Sequence, residues 1–227
     1  MIKTVLFDMN ETLLDLSVLK ENFGKHFEDK YVLKYWFSKL LHSSTVIGGM
    51  DDYTDFGKLA EAALESVFLE SDKELTDEIK TDILGSFRKL PAHDDVAEAL
   101  KLLRDHDIRV VSVTNSSYEM VEQQLNNSGL IDLFDAYYSV DSVKKYKPFE
   151  DIYHYVVIEE KINAIETVMV ATHDWDLFGA KKAGLHTAYI ERKKDQYNPY
   201  YLKPDMANSN LVELAEEIIS FNQLISD

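Results

Sequence analysis

The sequence predicts an α/β fold: a parallel β-sheet wrapped by helices, with a block of further helices inserted after the first strand. Three observations predict it. Residues 2–7 form a short apolar run that stops abruptly at Asp8, as a strand buried on both faces reads. From about residue 90 onward, apolar runs of strand length alternate with segments of helical period, as βα units require. Between them, from about residue 15 to 89, the alternation stops and only helical periodicity remains.

The elements follow in order. After the polar turn Asn10-Glu11-Thr12, residues 31–41 place Val32, Tyr35, Trp36, Lys39 and Leu40 at helical spacings. Gly48-Gly49 with Asp51-Asp52 reads as a loop, and Thr54-Asp55 as a cap before a helix carrying Phe56, Leu59, Ala63 and Val67. Residues 76–87 repeat the pattern. Beyond Pro91, Asp94 is expected to cap a helix through Val96, Leu100 and Leu103, with strand two at residues 108–113 and a helix over 118–125. A strand over 136–140, a helix over 151–162, strands over 167–171 and 186–190 and a helix over 212–224 complete the chain. The expected organisation is a core of residues 1–14 and 90–227 carrying a helical cap of residues 15–89.

Composition narrows the function. A net charge of -17 repels nucleic acid phosphates, and no apolar run reaches the length of a membrane span. There is no Cys, hence no disulfide framework and no thiolate chemistry, and the first residues lack a basic segment followed by a long apolar one. A cytoplasmic protein is expected. Only four Arg are present, so bidentate carboxylate clamps are scarce. The His residues other than His173 are scattered without metal-ligand spacing, and the Lys144-Lys145 and Lys193-Lys194 pairs read as solvated surface.

Chemistry in open α/β sheets gathers outside the carboxyl ends of the strands. Polar groups stand at four such ends: Asp8, Thr114-Asn115, Lys147 and His173 with Asp176. Asp8 followed by Thr12, the strand-end Thr114, Lys147 and Asp176, in that order over nearly the whole chain, resembles the haloacid dehalogenase superfamily. Tyr146-Lys147-Pro148, Tyr153 and Trp175-Asp176, with Trp36, Tyr53 and Phe56 in the cap, resemble its L-2-haloacid dehalogenase (type II) family.

The resemblance implies a Rossmann-like core and hydrolysis of short-chain L-2-haloacids to 2-hydroxy acids with inversion. In that reading Asp8 attacks the halogen-bearing carbon and water then hydrolyses the aspartyl ester, with no cofactor and no metal. Lys147 would hold Asp8 ionised; Asn10, Thr12, Phe37, Phe56, Thr114, Asn115, Tyr153 and Trp175 would contact substrate. The implied partners are the haloacid, water and halide, with no nucleic acid or membrane, and a homodimer is expected.

Departures from the family pattern shape the expectation. Phe37 replaces an Arg common after the cap Trp, Glu11 replaces a common Gly, and His173 an Asn. Glu11 and His173 are read as a pair in which His173 takes a proton from water and Glu11 orients it, as in a subset of related dehalogenases. The alternatives are a Mg²⁺-dependent phosphatase of the superfamily, or a non-catalytic relative that binds. Asn10, where phosphatases carry a second Asp as general acid, and Thr172, where they carry a metal-binding acid, weigh against the former.

Overall fold

The structure is a computed structural model that describes residues 1–224. Six parallel strands form one sheet: β1 (Thr4–Phe7), β2 (Arg109–Thr114), β3 (Ala136–Ser139), β4 (Thr167–Ala171), β5 (His186–Ile190) and β6 (Met206–Asn208). Their order is β3-β2-β1-β4-β5-β6. β1 is therefore central, with Phe7 in register with Ser112 on one side and Val170 on the other. The strand order reverses there, so the carboxyl end of β1 opens onto the crevice between connections running in opposite directions. Val5, Leu6 and Phe7 are buried, which accounts for the unbroken apolar run.

Four helices lie between β1 and the next core helix: α1 (Leu19–Gly24), α2 (Val32–Gly49), α3 (Phe56–Glu70) and α4 (Asp77–Phe87). Asp55 caps α3 by accepting from the Lys58 N–H, and Thr76 caps α4 by accepting from that of Ile79. Trp36 joins all four. Its indole N–H donates to the Ala60 carbonyl at 3.0 Å, and its ring meets Phe23 and Phe87 at centroid distances of 5.5 and 5.4 Å. The core helices are α5 (Val96–Asp105), α6 (Tyr118–Asn127), α7 (Asp151–Glu159), α8 (Asp174–Lys182) and α9 (Leu211–Leu224). No helix among the described residues is long and apolar enough to cross a membrane.

Two expectations are corrected, and one strand was not foreseen. α2 runs through Gly48-Gly49 instead of ending in a loop, because Gly48 lets the Phe149 ring approach; a Cβ there would lie 2.8 Å from Phe149 Cε2. Asp94 does not cap α5: the preceding residue is Asp95, whose carboxylate is taken by Arg192 and the Leu211 N–H, each at 2.8 Å. β6 carries three residues of which only Met206 is buried, too short and too polar to read as a strand.

One close approach couples the core packing to the site. A Cβ on Gly179 of α8 would stand 2.2 Å from the Pro148 carbonyl oxygen, and backbone cannot yield as a flexible side chain can. Gly179→Ala is expected to cost about 1–3 kcal/mol through overpacking. It should also displace the neighbouring Lys147, so that thermal unfolding of the variant shows a lower midpoint and its activity falls by more than the folded fraction does.

Candidate active site

Asp8 is the residue directly after β1, and its N–H continues the sheet by donating to the Val170 carbonyl at 3.0 Å. The chain then turns, with the Leu13 and Leu14 N–H groups returning to the Met9 carbonyl. This turn aims the Thr12 hydroxyl at Asp8 Oδ2, 2.7 Å away, while Thr12 Oγ1 accepts the Thr172 N–H at 3.0 Å. The ends of β1 and β4 thus fix one face of the carboxylate.

Lys147 fixes the other face. Its ammonium, 1% exposed, donates to Asp8 Oδ1 at 2.8 Å, Asp176 Oδ2 at 2.6 Å and the Val113 carbonyl at 3.0 Å. Three donors meet three acceptors, so the buried cation is fully satisfied. Its backbone N–H donates to Asn115 Oδ1 at 2.9 Å. The Tyr153 hydroxyl contacts Asp176 Oδ1 and lies 3.1 Å from the Asp176 carbonyl.

His173, at the start of α8, presents both ring nitrogens to carboxylates: Nδ1 to Asp8 Oδ2 at 3.0 Å and Nε2 to Glu11 Oε2 at 2.9 Å. An imidazole with two anionic acceptors is an imidazolium donating twice. Its ring stacks on Trp175 at a centroid distance of 5.0 Å, and Phe37 lies 6.3 Å away. Glu11 adopts φ 62°, the left-handed region that favours glycine; for a residue with a side chain this costs about 1–2 kcal/mol. Lys193 Nζ meets the side chain from outside, at 3.0 and 3.1 Å from the two Glu11 oxygens.

These contacts set the charges. Burial raises the Asp8 carboxyl, but Lys147 and His173 outweigh it and hold the group well below the ordinary carboxylate range. Burial likewise opposes ionisation of Glu11, yet His173 and Lys193 bring it down to about 2. For His173, burial favours the neutral ring, while Asp8 and Glu11 push the group up to about 9. Lys147 is desolvated but raised by Asp176 and Asp8; Asp176 itself is raised by burial and by Asp8, against the pull of Lys147.

The predicted residues divide into those that join this network and those that do not. Asp8, Glu11, Thr12, Lys147, His173 and Asp176 are contiguous, with Asn115 and Tyr153 attached through Lys147 and Asp176. Asn10 instead donates to Ser116 Oγ at 3.1 Å and accepts from Gln124 Nε2 at 3.0 Å. Thr114 Oγ1 accepts the Ser116 N–H, and Phe56 packs on Tyr146. A cavity of about 1190 Å³ opens beyond His173; Glu11, Phe37, Trp175 and Thr172 line it, whereas Asp8, Asn10, Thr12, Phe56, Thr114, Asn115, Lys147, Tyr153 and Asp176 do not, so His173 stands between the cavity and Asp8. Sequence reasoning missed two cations. Lys193 is exposed as expected but also pairs with Glu11, and Arg192 donates to the Thr12 carbonyl at 2.9 Å. Their position just past β5 was the only available signal.

The arrangement supplies an ionised, desolvated carboxylate beside a histidine. It does not fit a divalent cation, which needs anionic oxygens with free lone pairs. The ammonium of Lys147 already stands between Asp8 and Asp176, and the Asn10 amide is engaged by Ser116 and Gln124. Among the described residues no three His, Asp or Glu side chains are grouped to hold a metal ion.

A family model described as haloacid dehalogenase-like hydrolase matches residues 2–184. The (S)-2-haloacid dehalogenase 4A of Burkholderia cepacia is 30% identical over 196 residues, covering 85% of this chain and 84% of that protein. The (S)-2-haloacid dehalogenase of Xanthobacter autotrophicus is 27% identical over 194 residues, 85% of this chain and 76% of that one. The solved structure of the L-2-haloacid dehalogenase from Xanthobacter autotrophicus with chloropropionic acid covalently bound shares the fold. It aligns with a TM-score of 0.90 at 23% identity, over 96% of this chain and 99% of that one.

The charge state of His173 links stability to pH. A histidine raised on folding contributes stability that is fully present below its unfolded value and is lost as pH rises through the folded one. For His173 that window runs from 6.5 to about 9. The unfolding free energy from urea titrations is expected to fall across this window in the native chain and to stay nearly flat there in His173→Asn; equal slopes would contradict the assignment.

Proposed function

The chain belongs to the haloacid dehalogenase-like hydrolases and, within them, to the L-2-haloacid dehalogenase family, and from this premise we propose that it hydrolyses the carbon–halogen bond of small 2-haloacids. The observation that carries the reading is the Lys147 ammonium held between Asp8 and Asp176. It keeps Asp8 anionic in a buried site, while the place where a phosphatase carries its carboxylic acid holds Asn10, an amide turned toward Ser116 and Gln124. A halide leaves without protonation; an alkoxide from a phosphate ester does not.

In the first step a carboxylate oxygen of Asp8 displaces halide from the α-carbon with inversion and forms an alkyl ester. Thr12 and Lys147 hold that carboxylate in line. In the second step water attacks Asp8 Cγ. Esterification removes the negative charge that faced His173 Nδ1, so the imidazolium loses one of its two anionic partners and can give up its proton. His173 then serves as general base with Glu11 behind it, and the 2-hydroxy acid departs with an oxygen that began on Asp8. Asp176, paired with Lys147 and Tyr153, is a positioning residue in this scheme.

Phe37 and Trp175 line the cavity beside His173, and we assign them to the apolar part of the substrate. Residues 15–89 act as the cap over this cleft, in a homodimer located in the cytoplasm, as the sequence leads one to expect.

The test is halide release from racemic 2-chloropropionate in the presence of EDTA, with chiral analysis of the residue. Chloride should be released without metal, leaving the (R) acid. No chloride, together with Mg²⁺-dependent cleavage of a phosphate ester, would replace this reading with a phosphatase.

A further inference from the structure

Six charged side chains alternate in sign from the surface to the deepest carboxylate: Lys193, Glu11, His173, Asp8, Lys147 and Asp176. Consecutive members are in direct contact, at 3.0, 2.9, 3.0, 2.8 and 2.6 Å. Five of the six have roles in the scheme above. The outermost, Lys193, lies on the segment after β5, is 41% exposed, and places its ammonium on both oxygens of Glu11.

No other cation among the described residues takes that place. Arg192 is held by the Thr12 carbonyl and Asp95, and Lys147 lies beyond Asp8. His93 meets only the Glu11 backbone carbonyl, through Nε2 at 3.3 Å. The carboxylate of Asp174, on α8 beside His173, accepts from the Trp175 and Asn198 N–H groups. Glu11 therefore divides its charge between one exposed ammonium and one buried imidazolium. With φ 62° its backbone carries the side chain in a geometry those two contacts must hold.

Resting on the dehalogenase reading, we propose that Lys193 is a positioning residue for ester hydrolysis, holding Glu11 so that His173 can release its proton once Asp8 is esterified. The Nδ1 proton of the imidazolium first passes to solvent; water then bonds through oxygen to Asp8 Cγ and passes one proton to the freed Nδ1. The bond from Cγ to the substrate-bound oxygen then breaks. The electron pair leaves with that oxygen, which takes the proton from His173, and the second water proton, released as Asp8 re-ionises, restores the imidazolium. Lys193 matters at the start of this sequence. By drawing on both Glu11 oxygens it weakens the anion that remains against the imidazolium. Without it the full charge of Glu11 faces His173, and the proton is retained to higher pH.

The test compares Lys193→Met and Lys193→Arg with the native enzyme, measuring kcat against pH for 2-chloropropionate and the fraction of chain carrying the Asp8 ester by intact mass. Lys193→Met should move the limb of the kcat profile that requires neutral His173 to higher pH by about one unit, equivalent to about a tenfold loss of kcat on its acid side. The ester should accumulate in that variant, and Lys193→Arg should restore both properties. Because Lys193 is partly exposed, folding should be unaffected, and the midpoint of thermal unfolding checks this. An unmoved limb with no extra ester would overturn the proposal. So would a loss confined to kcat/KM, which would make Lys193 a cation that attracts substrate. No halide from the native enzyme would overturn the functional reading and this inference with it, whereas halide release with an unmoved limb overturns the inference alone.

Discussion

A lysine ammonium buried between two carboxylates is the constraint around which the rest of the molecule is arranged. Desolvating three charges is expensive, and the cost is recovered only where geometry leaves no donor or acceptor idle. Lys147 meets that condition with Asp8, Asp176 and the Val113 carbonyl, while Tyr153 and Thr12 occupy the outward sides of the two acids. Each partner comes from a different part of the sheet: Asp8 from the end of β1, Val113 from β2, Asp176 from the helix after β4. The strand order that puts β1 between β2 and β4 is what allows one ammonium to reach all of them. Gly179 serves the same end by letting α8 approach the Pro148 backbone next to this lysine.

Around that fixed centre, three residues set apart this chain's chemistry. Glu11 stands where a glycine would be unstrained, His173 where an amide is common in the family, and Phe37 where a cap arginine is common. The first two create a second anionic neighbour for the imidazole and so raise it to about 9 in the resting state. A histidine that charged is no base. In the scheme proposed above it becomes one when alkylation of Asp8 removes one of the two anions that hold its proton, which would tie activation of water to the presence of the ester. Phe37, meanwhile, places an apolar ring 6.3 Å from His173.

Much of this was legible in the residue order. The apolar runs ending in Asp8, Thr114 and Thr172-His173 mark strand ends, and a parallel sheet brings such ends together whatever the loops do. The strands at 167–171 and 186–190 match β4 and β5 residue for residue, because a strand buried on both faces has sharp chemical borders. What escaped depends on contacts between distant segments. Gly48-Gly49 resembles a loop until the Phe149 ring is known to lie on it. Met206–Asn208 becomes a strand only because β5 offers an edge to pair with. Lys193 looks like any surface lysine unless Glu11, 182 residues earlier, is known to turn outward at a positive φ.

The claim beneath all of this is that Asp8, kept ionised by Lys147, bonds covalently to the substrate carbon. A single turnover in heavy-oxygen water, with enzyme in excess over 2-bromopropionate, tests it most directly. The account predicts a hydroxy acid that carries ordinary oxygen in its new hydroxyl, with the heavy isotope found in the Asp8 carboxylate after proteolysis and mass analysis. Heavy oxygen in the hydroxyl of that first product, with none on Asp8, would mean that water attacks the substrate directly and would contradict the account.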